Sequence, residues 1–197
     1  MKKLASTWYN MAIVLTLIAV IAGASLAGVN ELTKEPIAKI QEKSLSDGIS
    51  AVLQTGQVNV QSVDSLENGT VVYKTDCGCA VQATDGNAFG GKLTVLVGFA
   101  DDGVIRGYKI LQTSETPGLG AKAETWFQEG QKGCIVGMNP SNSNMTVSKD
   151  GGDVDAITAS TITSRAFLRC VNAAYAALGN QATTDAETGA SSQNKKK

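Results

Sequence analysis

The feature that most constrains this chain is an uncharged run from Leu4 to Asn30, whose apolar centre extends from Met11 to Val29. About 20 apolar residues are enough to cross a bilayer as a helix. A segment that is apolar on all its faces is also unsuited to the surface of a soluble domain. The run therefore predicts a transmembrane anchor over residues 1–30, and residues 31–197 are enough for one domain of ordinary size.

The charges beside the run predict its orientation. Lys2 and Lys3 precede it, so the positive-inside rule favours a cytoplasmic N-terminus and an exported remainder. A cleaved signal peptide is the alternative, because residues 24–27 include small residues typical of a cleavage site. The run exceeds the usual signal-peptide core of about 7–15 residues, which favours an uncleaved anchor. Both alternatives place the rest of the chain outside the cytoplasm.

Residues 31–57 mix charged and apolar residues and predict a juxtamembrane helical segment that docks on the following domain. Its apolar positions are Leu32, Ile37, Ile40, Leu45, Ile49 and Val52. Residues 58–180 form the predicted domain. Residues 181–197 have too little apolar content to pack, so the sequence predicts a disordered tail there.

Within the domain, residues 92–111 predict a β-hairpin that turns at Asp101-Asp102-Gly103, because Asp-Gly is a strong turn signal. We expect this hairpin near the centre of an antiparallel sheet. From Arg165 onward, apolar residues follow the spacing of an amphipathic helix, with Gly179 as the expected stop. The pattern predicts an α+β domain with this helix packed on one face of the sheet.

The stretch from Asp155 to Ser164 places five hydroxyl groups within seven residues, directly before this helix. The first turn of a helix has unpaired N–H groups and the positive end of the helix dipole, so it suits a phosphate group. The alternative is that one of these hydroxyls is an ordinary N-cap. The residues alone leave both interpretations open.

A second stretch, Glu115-Thr116-Pro117-Gly118-Leu119-Gly120, follows the hairpin. Pro-Gly at its centre predicts a tight turn of type II, because glycine can adopt the positive φ that the third position requires. By itself this pattern also fits a simple connection between a strand and a helix.

Composition excludes several classes of function. The chain has no histidine, which excludes His-based zinc sites and Ser-His-Asp or Cys-His catalysis. Its 17 basic and 18 acidic residues argue against a nucleic-acid surface, which needs clustered positive charge. The four cysteines, Cys77, Cys79, Cys134 and Cys170, are interpreted as disulfides or free thiols rather than as metal ligands.

The two stretches together resemble the FMN-binding domain family shared by the G subunit of Rnf complexes and the C subunit of sodium-pumping NADH:quinone reductases. Residues 158–163 are similar to the family's S/T-G-A-T-x-T/S motif, with Ala159 where Gly is usual and Ser160 where Ala is usual. In that family the Thr at the fourth position of this motif carries FMN through a phosphoester bond. That residue corresponds to Thr161 here, and the E-T-P-G-L-G segment matches without a departure.

The resemblance implies a set of site residues around a covalent FMN. Thr161 is the expected attachment site. The expected contacts are Glu115, Thr116, Gly118 and Leu119 from the turn, and Thr158, Ala159, Ser160 and Thr163 from the motif. The fold it implies is α+β, with a single N-terminal transmembrane helix followed by an FMN-binding domain that has an antiparallel sheet and flanking helices.

The function that the resemblance implies is electron transfer within an ion-translocating ferredoxin:NAD oxidoreductase, the Rnf complex. The chain is then a redox subunit of a translocase rather than a stand-alone catalyst. Its expected partners are the other membrane subunits and, for maturation, a flavin transferase that uses FAD and Mg²⁺. Its expected location is the bacterial inner membrane, with the domain on the extracytoplasmic, periplasmic side.

Three alternatives remain at this point. The chain length and single anchor favour the G subunit over the C subunit of the quinone reductase, although the same FMN domain also occurs in other membrane electron chains. A flavodoxin-like module that binds flavin without a covalent bond is disfavoured, because only one helix follows Thr161. The last alternative is an anchored binding domain without flavin.

Overall fold

The computed structural model describes residues 8–56, 58–66 and 69–192. It divides into two compact units, of which the first ends at Ser44 and the second begins at Leu45. Residues 1–7, which include the predicted orientation signal Lys2 and Lys3, lie outside the described residues.

The first unit consists of a helix, α1, which extends from Trp8 to Val52 and continues into the second unit. Its segment Trp8–Lys34 is long and apolar enough to cross a membrane, and none of that segment is buried by the protein itself. The helix therefore agrees in length and composition with the predicted anchor. The helical geometry continues through Pro36, so the juxtamembrane segment is helical as far as Val52.

The second unit is built on a five-stranded antiparallel sheet in which each strand pairs with the next along the chain. The strands are β1 (Val60–Ser65), β2 (Val71–Thr75), β3 (Gly78–Ala88), β4 (Gly91–Phe99) and β5 (Ile105–Gln112). The predicted hairpin is confirmed as β4 and β5, with Gly103 at positive φ in the connection. The prediction that this hairpin lies near the centre of the sheet is wrong. β3 is the central strand, and β5 is an edge strand after which the chain leaves the sheet.

Successive side chains of each strand point to opposite faces of the sheet, so both faces carry apolar residues. Each face is covered by one helix. On one face, Val81, Val95 and Phe99 form a core with Phe167 and Val171 of α3 (Thr161–Ser192). On the other face, the end of α1 packs Ile49, Val52 and Leu53 against Tyr73, Ala80 and Leu96. The docking predicted for the juxtamembrane segment is therefore confirmed for its last residues.

The close contact between α1 and the sheet depends on Gly98 of β4. A Cβ atom at Gly98 would lie 2.5 Å from the Val52 carbonyl oxygen, so only glycine fits there without a shift of the backbone. Just beyond the helix, Gln54 adopts a φ of 56° and donates a side-chain hydrogen bond of 3.0 Å to the Arg106 carbonyl. These contacts fix the helix end across β4 and β5.

An aromatic cluster fixes the segment that follows β5. The rings of Phe127 and Phe167 stack with centroids 4.2 Å apart, and Tyr108 packs edge-on against Phe167. The Tyr108 hydroxyl donates to the Ala123 carbonyl at 2.6 Å, and burial raises the pKa of this phenol. The short helix α2 (Ala123–Trp126) is thereby held against both β5 and α3.

α3 begins at Thr161, before Arg165, from which the sequence predicts the helix, and it also ends later than predicted. The expected stop at Gly179 is wrong, since the helix continues to Ser192 and Gly179 does not adopt positive φ. A glycine inside a helix costs only about 1 kcal/mol relative to alanine, so one such residue does not end a long helix. The tail predicted to be disordered, residues 181–197, is therefore helical as far as Ser192, and residues 193–197 lie outside the described residues.

Candidate functional site

An open cleft of about 340 Å³ lies between the loop after β5 and the start of α3. It is lined by Phe89, Glu115, Thr116, Leu119, Gly120, Ala159, Ser160, Thr161, Ile162 and Thr163. The two stretches singled out by sequence, about 40 residues apart in the chain, therefore share one cavity. The third contributor, Phe89, comes from the turn between β3 and β4.

The turn at residues 116–119 has the geometry that its sequence predicts. The Leu119 N–H donates to the Thr116 carbonyl at 3.2 Å, and Gly118 has a φ of 79°. These two features, with Pro117 at the second position, confirm the type II turn. Gly118 itself does not line the cleft, whereas Thr116 and Leu119 on either side of the turn do.

Glu115 connects this loop to the turn between β3 and β4. Its side chain is only 8% exposed, and its Oε1 atom accepts a hydrogen bond of 3.1 Å from the Gly90 N–H. A Cβ atom at Gly120 would lie 2.2 Å from Glu115 Oε2, so the absence of a side chain at Gly120 makes room for the carboxylate. Glu115 therefore holds two loops of the cleft together.

Most hydroxyls of the motif are occupied by internal hydrogen bonds. The Ser160 hydroxyl donates to the Thr163 hydroxyl at 2.9 Å, and the Ser164 hydroxyl donates to the Ser160 carbonyl at 2.9 Å. The Ser164 hydroxyl also accepts the Ile157 N–H at 3.0 Å. The Ser160 carbonyl accepts the first backbone hydrogen bond of α3, from Ser164, which makes Ser160 the N-cap residue.

Thr161 is the first residue of α3, is half-buried and lines the cleft. Its hydroxyl makes no hydrogen bond to any residue that the structure describes. Ser160 therefore occupies the N-cap position, and the Thr161 hydroxyl takes no part in the hydrogen bonds of the helix start. Thr158 is exposed and, like Gly118, does not line the cleft.

Ala159 adopts the left-handed conformation, with a φ of 62°. This is the position at which the family usually has glycine, and the backbone keeps a glycine-type geometry in spite of the methyl group. For a residue with a Cβ atom this conformation costs about 1–2 kcal/mol. The bend at Ala159 turns the chain from the buried Ile157 into the first turn of α3.

The electrostatic character of the cleft comes from the helix start. The first turn of α3 contains no acidic residue, so its own side chains do not oppose the positive end of the helix dipole, and Glu115 is the acidic residue that lines the same cleft. One turn further on, Arg165 forms a bidentate ion pair with Asp150 at 2.7 and 2.8 Å. This pairing lowers the pKa of the Asp150 carboxyl and raises that of the Arg165 guanidinium.

The four cysteines form no disulfide among the described residues. Cys170 is buried in the core against β4, with its Sγ atom 3.8 Å from the Leu93 carbonyl, and burial raises its pKa to about 12. Of the two interpretations favoured from sequence, the structure has thiols rather than disulfides, and none of the four cysteines lines the cleft.

The site thus brings together Glu115, Thr116, Leu119 and the residues from Ala159 to Thr163. Sequence reasoning missed Phe89, Gly120 and Ile162 as lining residues. Gly120 lies in the motif itself, and Ile162 lies between two of the predicted hydroxyls. Phe89 carries no local signal, because it reaches the cleft only through the fold.

Comparison with known families identifies the domain that contains the cleft. A family model described as FMN-binding domain matches residues 88–176, a range that contains every residue lining the cleft. A second family model, described as RnfG N-terminal region, matches residues 1–52. Among curated relatives, the G subunit of the ion-translocating oxidoreductase complex of Aliivibrio fischeri (strain ES114) is 30% identical over 188 residues, covering 86% of this chain and 89% of the relative.

The chain belongs to the family of G subunits of ion-translocating oxidoreductase complexes. The G subunits of Cereibacter sphaeroides, 30% identical over 81% of this chain and 79% of the relative, and of Escherichia coli K12, 29% identical over 82% and 86%, carry the same description. Family membership confirms the resemblance inferred from the two motifs. The N-terminal match also favours the G subunit over the C subunit of the quinone reductase.

Proposed function

We propose that this chain is the flavin-carrying electron-transfer subunit of an Rnf-type ion-translocating ferredoxin:NAD oxidoreductase, with FMN bound to Thr161 through a phosphoester. The observation that carries this proposal is the Thr161 hydroxyl at the first residue of α3, which has no hydrogen-bond partner among the described residues and lies in the cleft shared with the 115–120 loop. FMN, once bound, accepts and donates electrons, and the protein holds it and tunes its potential.

The residues of the cleft fit this group. The first N–H groups of a helix have no intrahelical partner, so the start of α3 offers backbone donors and a favourable field to a phosphate on Thr161. Phe89, Leu119 and Ile162 supply apolar walls for a flat ring system. The volume of about 340 Å³ lies in the usual range of ligand pockets, about 300–1,000 Å³.

Attachment of FMN requires one group transfer, for which a flavin transferase with FAD and Mg²⁺ is the proposed agent. The Thr161 oxygen forms a bond to the FMN phosphorus of FAD and loses its proton. The pyrophosphate bond of FAD breaks at the same phosphorus, and AMP leaves. The hydroxyls of Thr158 and Thr161 are the two in the motif without a hydrogen bond to a described residue, and of these two only Thr161 lines the cleft, so it is the one placed to react without disrupting the helix start.

In the complex, the proposed role is relay between partner subunits during electron transfer from reduced ferredoxin to NAD, coupled to export of sodium ions or protons. The segment Trp8–Lys34 supports a bacterial inner-membrane anchor. We propose a cytoplasmic N-terminus and a domain on the extracytoplasmic side. A covalent bond keeps the cofactor on the protein in a space where no FMN pool would replace it.

The test is co-expression of the full chain with its flavin transferase, followed by denaturing electrophoresis and in-gel flavin fluorescence. We expect a fluorescent band for the wild type and none for Thr161→Ala. Thr158→Ala is the matched control, because it removes an exposed hydroxyl three residues away that does not line the cleft. A wild type without flavin, beside a transferase that modifies an established substrate, would favour the anchored binding domain instead.

A further inference from the structure

Phe89 is the most exposed large hydrophobic side chain in the described part of residues 45–179, with 71% of its surface accessible. Five large hydrophobic residues are exposed in that part of the chain: Val60, Val63, Phe89, Leu119 and Ile162. Three of the five line the cleft. Scattered exposed apolar residues need no explanation, but three around one cavity indicate a surface that something apolar covers.

The turn that carries Phe89 is fixed from one side by the 115–120 loop. Ala88 pairs with Gly91, so Phe89 and Gly90 form the two-residue connection between β3 and β4. The Gly90 N–H donates to Glu115 Oε1 at 3.1 Å, and a Cβ atom at Gly90 would lie 2.2 Å from the Ser114 carbonyl oxygen. The backbone next to Phe89 therefore lies directly against the loop whose residues Glu115, Thr116 and Leu119 also line the cleft.

The strand leading into the turn is fixed from the other side by α3. Arg169 donates to both oxygens of Asp85, at 2.6 and 3.2 Å, and to the Asn87 carbonyl at 3.4 Å. Asp85 in turn accepts the Asn87 N–H at 2.6 Å. Since α3 also carries Thr161, the same helix holds the attachment site and the base of the Phe89 turn.

The backbone of this turn is thus held at two places, while the side chain at its tip is largely exposed. We propose that Phe89 packs against one face of the isoalloxazine ring of the FMN on Thr161, with Glu115 and Arg169 as positioning residues. The inference rests on the proposed function. It places the isoalloxazine ring in the part of the cleft between Phe89 and Leu119.

The experiment uses the full chain carrying FMN, with flavin occupancy measured by intact mass. In Phe89→Trp an electron-rich indole replaces the phenyl ring, and an indole in contact with a flavin quenches its fluorescence. We expect a several-fold drop in flavin fluorescence per bound FMN. Val63→Trp is the matched control: Val63 is 55% exposed but does not line the cleft, so its variant should fluoresce like the wild type.

A second variant, Phe89→Ala, tests the same contact without relying on quenching by indole. Removal of a ring that covers one of two flavin faces should raise the Stern–Volmer constant for iodide by about twofold. Equal fluorescence in Phe89→Trp and the wild type, or an unchanged iodide constant in Phe89→Ala, would overturn the contact. If Phe89→Trp takes up no FMN, the iodide measurement decides.

The outcome is separable from that of the proposed function. A wild-type chain that gains no FMN would contradict the proposed function and the contact together. A wild-type chain with FMN on Thr161 whose fluorescence is indifferent to residue 89 would contradict the contact alone.

Discussion

The Ser160 hydroxyl donates a hydrogen bond of 2.9 Å to the Thr163 hydroxyl, and both side chains are buried at the first turn of α3. Thr161 lies between them in sequence and takes no part in this pair. Four of the hydroxyls of this stretch thus have two different tasks. Ser160, Thr163 and Ser164 stabilise the helix start, and Thr161 is left available to the cleft.

This division predicts that two neighbouring substitutions change the free energy of unfolding of the flavin-free chain by different amounts. Ser160→Ala removes the N-cap side chain and its buried hydrogen bond, and should lower the free energy of unfolding by about 1–2 kcal/mol. Thr161→Ala removes a hydroxyl without a partner, and should change it by less than about 0.5 kcal/mol. Urea unfolding in detergent measures both. A Thr161→Ala variant as unstable as Ser160→Ala would contradict the division.

Ala159→Gly should stabilise the protein. Ala159 holds a φ of 62°, so removing its Cβ atom relieves strain that exceeds the entropy gained by the unfolded chain. We expect a gain of about 1 kcal/mol, which corresponds to about 2–4 °C in Tm for a chain of this size. Ala173→Gly, at an exposed position inside α3, should show the opposite sign. The expectation fails if Ala159→Gly lowers Tm.

Glu115→Ala should loosen the two loops that this residue joins. Loss of a hydrogen bond to a charged group costs about 1.5–3 kcal/mol, and the Gly90 N–H loses its acceptor. Glu115→Gln keeps an acceptor oxygen and should cost less. Hydrogen exchange at the Gly90 amide reports the contact directly, because exchange should accelerate in the Ala variant. Unchanged exchange there would show that Glu115 does not hold the turn.

Acid should weaken the link between Asp85 and α3. The hydrogen bond from Arg169 lowers the pKa of the Asp85 carboxyl below its ordinary value of 3.8. A carboxyl whose pKa is lower in the folded state stabilises that state above its unfolded pKa, and this contribution is lost as pH falls through the lowered value. Stability should therefore drop below about pH 4.

Variants of either partner should reduce this acid sensitivity. Asp85→Asn and Arg169→Gln each remove the Asp85–Arg169 ion pair. In both variants the urea midpoint of unfolding should therefore decrease less than in the wild type between about pH 5 and pH 2. Equal slopes in all three proteins would indicate that the pair does not contribute to acid sensitivity.

The sequence predicts those parts of the site that depend on local chemistry. Pro117-Gly118 determines a type II turn, and Asp102-Gly103 determines the hairpin, because each needs only the conformational preferences of adjacent residues. The place of Phe89 depends instead on Glu115, which is 25 residues away from Gly90, and on Arg169, whose partner Asp85 is 84 residues away. Neither contact has a periodicity or spacing that could be recognised beforehand.

Three other features of the structure also depend on more than local sequence patterns. The position of the hairpin at the sheet edge is decided by where the chain leaves β5, which strand patterns do not encode. The left-handed Ala159 departs from the usual preference for glycine, since the buried Ile157 and the N-cap Ser160 fix the backbone on both sides. The extension of α3 through Gly179 reflects how little one glycine costs inside a long helix.

The most direct test of the central claim is to locate the flavin within the chain. Trypsin releases residues 150–165 as one peptide, which contains Thr158, Ser160, Thr161, Thr163 and Ser164. Fragmentation of this peptide from the full chain matured with its transferase should place the FMN mass on Thr161 alone. FMN on Thr158 or Thr163, or an unmodified peptide beside an active transferase, would contradict the account.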